Sequence, residues 1–152
     1  MTGLDSLYQE LILDHSKHPV GNPLHDVGDA AHADSHQKNP VCGDEITLRV
    51  AVDGDRITGV SWEGTGCSIS QASASMLASL VDEEVEGDGM TRADAAALIE
   101  RFREALRSRG SIPLDEETFG DAAALSGVSK FSARVKCAML AWVALEDGLG
   151  RA

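Results

Sequence analysis

The chain has 152 residues, of which 43% are hydrophobic, 25% charged and only 4% aromatic. This length suits one domain over residues 1–152 with an aliphatic core, and the composition excludes a disordered tail, a collagen-like fibre and a disulfide-stapled miniprotein. The net charge of −12 disfavours binding to nucleic-acid phosphates and to an anionic membrane surface.

The sequence favours a cytoplasmic location. No stretch approaches the roughly 20 apolar residues that span a bilayer, and the first residues lack the basic start and apolar core of a secretory signal. The three cysteines, Cys42, Cys67 and Cys137, are odd in number and far apart, so they cannot all pair within the chain. We therefore expect a reducing environment that keeps them as free thiols or metal ligands.

The first part of the chain predicts a helix followed by a weak edge strand. The three-to-four spacing of one apolar helical face is carried by Leu4, Leu7, Tyr8, Leu11 and Ile12. His15 and His18 are three residues apart and could share a metal ion, but we expect them to be exposed residues at the C-terminus of this helix. Residues 30–36 predict the edge strand.

A hairpin and a helix of small residues follow. The alternation typical of a half-buried strand is carried by Ile46, Leu48, Val50 and Val52. Asp53-Gly54 supplies a hairpin turn, and a second strand runs over residues 57–63. Cys67 then opens a helix whose Ala and Ser residues allow close packing against a neighbour.

The second half predicts two more helices and two acidic loops. The loops cover residues 83–89 and 111–127, and the second loop contains at most a short helix near residues 121–125. Thr91 and Asp94 have the spacing of a capping box. The buried stripe of the helix they start is expected at Ala95, Leu98, Ile99, Phe102 and Leu106. Ser132 is expected to cap the last helix and Gly148 to end it. The class is therefore α+β, with a small antiparallel sheet of about three strands against helices.

Each cysteine occupies a special position in this arrangement. Cys42 precedes Gly43 and Asp44 directly before the first strong strand. Cys67 lies at a helix N-terminus, where the helix dipole and unpaired N–H groups favour a thiolate. Cys137 has basic neighbours at Arg134 and Lys136, and we expect it to lie off the core-facing stripe of Val135, Met139 and Trp142.

Three thiolates and one carboxylate match a tetrahedral zinc site, with Cys42, Asp44, Cys67 and Cys137 as ligands. Arg134 and Lys136 would offset the excess negative charge. From the residues alone two alternatives stay open: three inert, buried thiols that act as small apolar side chains, and Asp44 as a cap at the start of the strand.

Three ordered motifs, PVCGDEI, EGTGCSISQASASML and RVKCAMLAW, resemble the U-type iron–sulfur cluster assembly proteins, and LYQELILDHSKHP resembles their N-terminal helix. The similarity runs from about Leu4 to Gly148. It implies an α+β fold with the cysteines gathered at one exposed end. Lys136 stands where scaffold members have histidine, and extra length falls in an inserted region at about residues 83–127. Both features match the SUF-associated branch, SufU.

That branch resembles zinc-dependent, sulfurtransferase-like proteins, which accept persulfide sulfur from a pyridoxal-phosphate cysteine desulfurase and pass it to a downstream iron–sulfur scaffold. The resemblance implies Cys42 as the sulfur acceptor and Asp44, Cys67 and Cys137 as constant metal ligands. It gives Arg134 a role in partner contact or charge compensation. Two alternatives remain, a scaffold that assembles a transient [2Fe–2S] cluster and a structural zinc adaptor that activates the desulfurase without carrying sulfur.

Overall fold

A computed structural model of the chain describes residues 3–40 and 43–152. Within these residues it has five α-helices, four β-strands and one 3₁₀ segment. In chain order they are α1 (Gly3–Lys17), β1 (Ala31–Asn39), β2 (Asp44–Asp53), β3 (Arg56–Thr65), α2 (Ser68–Glu86), β4 (Met90–Thr91), α3 (Arg92–Arg107), α4 (Glu116–Phe119), the 3₁₀ segment (Gly120–Lys130) and α5 (Ser132–Arg151).

The strands form one antiparallel sheet in the order β1-β2-β3-β4, which confirms the predicted α+β class. Ile46, Leu48 and Val50 on β2 are buried, while Glu45, Thr47 and Arg49 are partly exposed, as alternation predicts. The sheet has four strands rather than about three. The extra strand, β4, has only two residues paired with Arg56 and Ile57, too few for a pattern of alternation.

Helices α2 and α5 cover one face of the sheet, with α5 on β1 and β2 and α2 on β3, and α1, α3 and the 3₁₀ segment pack against this pair. The two helices approach closely because the residues between them are small. Ser73 Oγ donates to the Ala138 carbonyl at 2.6 Å and accepts from the Trp142 indole N–H at 3.0 Å. None of the described helices combines the length and hydropathy needed to cross a bilayer.

Thr91 caps α3 with a capping box to Asp94, as predicted, but the limits of two other helices differ from expectation. Residues 83–86, predicted as loop, are the last turn of α2. The acidic side chains there are exposed while Val81 and Val85 keep the helical spacing against the core, so the charges form the solvent face of a helix. The second predicted loop is largely ordered, as α4 and the 3₁₀ segment.

Helix α5 also begins and ends differently. Phe131, not Ser132, is its N-cap and makes no side-chain capping bond, because the 3₁₀ segment runs directly into the helix. The helix passes through Gly148 to Arg151. A Cβ at Gly148 would lie 3.0 Å from Val50 Cγ1, so this glycine permits close contact with β2 instead of ending the helix.

The expectation of an exposed His15 is wrong, whereas His18 is exposed. The imidazole of His15 is buried, with Nδ1 2.7 Å from Ser75 Oγ and Nε2 2.9 Å from Asp121 Oδ2. These bonds join α1, α2 and the 3₁₀ segment. The spacing of the two histidines could not predict the burial of His15, because its partners Ser75 and Asp121 are distant in the chain.

An aromatic cluster joins α3 to α5 in the core. Phe102 stacks on Trp142 with ring centroids 3.8 Å apart, and Phe119 tilts against both rings. Because Phe102 is fully buried, its removal would leave a cavity between two helices. The cluster therefore contributes both buried area and the spacing of α5 from α3.

We predict that Phe102→Ala lowers the free energy of unfolding by about 3–5 kcal/mol, through lost burial and the remaining cavity. Phe131→Ala is the matched control, because Phe131 is 63% exposed and its truncation should change stability by only about 0.5 kcal/mol. Urea unfolding followed by circular dichroism measures both. Equal destabilisation by the two variants would contradict the proposed role of the cluster.

Candidate metal centre

Three of the predicted ligands meet at one end of the sheet. Asp44 is the first residue of β2, Cys67 is the N-cap of α2, and Cys137 lies in the second turn of α5. One ligand atom from each lies within 4.8 Å of the others. Three elements that are distant in the chain thus place a carboxylate and two thiols at a single point.

The contact between Asp44 and Cys67 is the best defined in this cluster. Asp44 Oδ1 accepts a hydrogen bond from the Cys67 backbone N–H at 3.0 Å, while Oδ2 lies 3.9 Å from the Cys67 sulfur. One carboxylate oxygen therefore binds the N-terminus of α2, a favourable position for negative charge, and the other is directed at the thiol.

Burying the Asp44 carboxylate costs free energy unless a cation lies next to it. Asp44 is 1% exposed, and no ion pair with a basic side chain involves it in the described part of the chain. A buried carboxylate without a counter-charge loses several kcal/mol of hydration. A bound divalent cation would compensate this cost and would be ligated by the same oxygen.

The distances fit a tetrahedral ion. Metal bonds of about 2.3 Å to sulfur and about 2.0 Å to oxygen place neighbouring ligand atoms about 3.5–3.8 Å apart. The separation of 3.9 Å between Cys67 Sγ and Asp44 Oδ2 is close to this range. The residues present therefore fit a zinc-type site with small adjustments of side-chain torsions.

Two further residues shape the site and were not predicted. A Cβ at Gly66 would lie 2.5 Å from both Asp44 Oδ1 and Ser70 Oγ, so only glycine leaves room for the carboxylate. Ser70 Oγ lies 3.9 Å from the Cys67 sulfur and donates to the Cys67 carbonyl at 3.0 Å. The sequence could have indicated the contact between Ser70 and Cys67, because Ser70 lies three residues after the helix N-cap, where a side chain turns back over the first turn.

The surroundings of Cys137 correct one expectation. Cys137 is 1% exposed, whereas Val135 and Met139 of the expected core stripe are only partly buried. Because α5 packs between the sheet and the other helices, its small residues define the contact face. The buried positions of α5 are Cys137, Ala138, Ala141, Trp142, Ala144, Leu145 and Gly148.

The remaining predicted site residues lie apart from this cluster or beyond the description. Arg134 and Lys136 are exposed on the first turns of α5. Cys42 lies outside the described residues, so its placement as the fourth ligand stays a prediction. In the sequence it precedes Asp44 by two residues.

A scan of protein families matches residues 7–138 to the NifU-like N-terminal domain, a range that includes all three cysteines. The chain belongs to this family. The family assignment confirms the resemblance to U-type iron–sulfur assembly proteins inferred from the three cysteine motifs.

Similar relatives cover nearly the whole chain. The zinc-dependent sulfurtransferase SufU of Bacillus subtilis (strain 168) is 40% identical, over 97% of this chain and 92% of that protein. The iron–sulfur cluster assembly scaffold protein IscU of Streptococcus pyogenes serotype M1 is 37% identical, over 99% of this chain and 87% of that protein. A candidate SUF-system scaffold protein of Fervidobacterium islandicum AW-1 has a solved structure that is 31% identical, covers 92% of this chain and 94% of that one, and superposes with a TM-score of 0.73.

We predict that Gly66→Ala lowers the affinity for Zn²⁺ about ten- to a hundredfold, because its methyl group displaces the Asp44 carboxylate, and supporting residues of metal sites have effects of this size. Gly59→Ala is the control, since Gly59 lies on β3, the strand that ends directly before Gly66, and a Cβ there meets nothing within 4 Å. Competition with a chromophoric chelator measures both. Equal zinc affinity in the two variants would show that Gly66 does not protect the ligand geometry.

Proposed function

We propose that this protein is a zinc-dependent sulfur-transfer protein of SUF-type iron–sulfur cluster assembly that acts in the cytoplasm. The observation that carries the proposal is the buried Asp44 carboxylate beside the thiols of Cys67 and Cys137. A relative of 40% identity named as a zinc-dependent sulfurtransferase supports it.

Asp44, Cys67 and Cys137 are suited to holding the metal throughout. They are fixed at the starts of β2 and α2 and within α5, so ordered backbone positions all three. Zinc bound there would keep its thiolate ligands deprotonated at neutral pH and would add no redox chemistry of its own.

Cys42 is suited to accepting sulfur. It precedes the metal-holding strand by two residues and completes a set of three thiolates and one carboxylate. In the transfer step, the Cys42 thiolate attacks the outer sulfur of a persulfide on a cysteine desulfurase. A new S–S bond forms on Cys42, the bond to the desulfurase sulfur breaks, and the desulfurase cysteine leaves as a thiolate. No external oxidant or reductant is needed, and a downstream iron–sulfur scaffold receives the sulfur by the same exchange.

A second candidate is a scaffold that assembles a transient [2Fe–2S] cluster on the same cysteines. The 37% identity to a protein named as an IscU scaffold favours it. Against it, Lys136 precedes Cys137, and a lysine ammonium has no lone pair for a metal unless it loses its proton. Lys136 is also exposed, whereas its neighbour Cys137 is buried.

We predict that the anaerobically purified protein contains one zinc ion per chain and gains the mass of one sulfur atom when incubated with a cysteine desulfurase and cysteine. Cys42→Ala should abolish this gain while retaining most zinc, because three ligands remain. Cys137→Ala should lose zinc and sulfur acceptance together. Intact-mass spectrometry and metal analysis of the same samples measure both quantities.

The alternatives give different results in this experiment. A persulfide trapped on Cys67 or Cys137 in Cys42→Ala would show that the acceptor is assigned wrongly. Faster desulfurase turnover with no added sulfur on any cysteine would identify a structural zinc adaptor. An iron–sulfur chromophore after anaerobic reconstitution, with zinc displaced, would identify a cluster scaffold.

A further inference from the structure

A basic stretch interrupts the acidic chain next to the metal centre. Between Asp121 and Glu146 the sequence contains no acidic residue, although the chain carries a net charge of −12. Lys130, Arg134 and Lys136 lie in this stretch and are exposed. None of the three forms an ion pair with any carboxylate that the structure describes, so their charge is available to a partner.

The same stretch exposes an aromatic ring. Phe131 is 63% exposed, more than the other exposed large hydrophobic residues that the structure describes, Leu7, Leu13 and Ile112. Phe131 is the N-cap of α5, a position where side chains with an oxygen acceptor are usual and a phenyl ring cannot cap the helix N–H groups. Phe131 and Arg134 are three residues apart at the start of this helix, which places them on neighbouring positions of one surface.

The packing of α2 and α5 places this surface at the rim of the metal centre. Cys67 lies beside Cys137, and further along both helices Ser73 contacts Ala138 and Trp142, so the two helices start at the same end of the fold. Helix α2 begins directly after Cys67, whereas α5 begins five residues before Cys137. At 1.5 Å per residue, α5 extends about 7.5 Å past Cys137, and its N-terminus adds partial positive charge.

We propose that Lys130, Phe131 and Arg134, named here the α5 docking patch, bind an acidic surface with an apolar pocket on the protein that donates the persulfide. This inference rests on the proposed function, because it places the donor over the metal centre. Phe131 is the anchor that fills the pocket, and the two basic residues set orientation and association rate.

Charge favours this occupant over a second copy of the chain. A two-fold symmetric contact through the patch would bring the same basic residues of both copies face to face, which like-charge repulsion opposes. An acidic partner would instead neutralise the charges of Lys130 and Arg134. Lys136, which lies nearby on α5, adds further positive charge that attracts such a partner. The patch also differs in sign from the rest of this acidic surface, which allows it to orient an approaching acidic protein.

The test compares two sulfur donors, a SUF-type cysteine desulfurase and glutathione persulfide, with the full-length, zinc-loaded protein. We expect Phe131→Ala to weaken binding to the desulfurase about tenfold or more, and to slow sulfur transfer in proportion at low protein concentration. Lys130→Glu should slow association and flatten its dependence on salt. Both variants should accept sulfur from glutathione persulfide at the wild-type rate, because this small donor needs no docking.

Two control variants match these changes elsewhere on the surface. Leu13→Ala truncates another exposed hydrophobic residue, and Lys17→Glu reverses another exposed basic residue. Neither should change the affinity for the desulfurase.

If Phe131→Ala binds the desulfurase with wild-type affinity while the wild type accepts sulfur normally, the proposed docking role of the patch is wrong. The proposed function is then unaffected. A dimer that dissociates on Phe131→Ala in sedimentation would assign the patch to self-association and also overturn it. If the wild type takes up sulfur from neither donor, the proposed function fails and the patch, which depends on it, fails with it.

Discussion

The buried carboxylate of Asp44 connects the sheet to the two helices that carry cysteines. One oxygen binds the backbone N–H of Cys67 and the other faces its sulfur, so the start of β2 and the start of α2 are held together at the same point. Gly66 makes this approach possible, since any side chain there would occupy the position of the carboxylate. Burying a charge at this junction costs free energy, and a bound cation would compensate that cost.

Much of the fold could be predicted because local patterns agree with it. The alternation in β2, the turn at Gly54 and the capping box at Thr91 all depend on neighbouring residues and were correct. The errors came from tertiary contacts, which local patterns do not contain. Gly148 lies inside α5 because β2 passes close to it, and His15 is buried by partners more than fifty residues away.

The sequence predicted which residues form the site, but not how the residues around them pack. Special positions and motif resemblance singled out Asp44, Cys67 and Cys137, and the structure brings these three together. The helical spacing of large side chains predicts a core-facing stripe through Val135 and Met139. Cys137 instead lies on the buried face of α5, which consists mostly of small residues. The exposed ring of Phe131 could not be found at all from sequence, since an apolar residue beside a helix start is ordinarily buried.

X-ray absorption spectroscopy at the zinc edge measures directly whether Asp44 and three cysteines hold one zinc ion, as we propose. For the purified wild-type protein, we expect three sulfur neighbours at about 2.3 Å and one oxygen neighbour at about 2.0 Å. In Asp44→Ala the oxygen contribution should change while the sulfur shell stays. A spectrum with only nitrogen or oxygen neighbours, or an unchanged spectrum in Asp44→Ala, would contradict this set of zinc ligands.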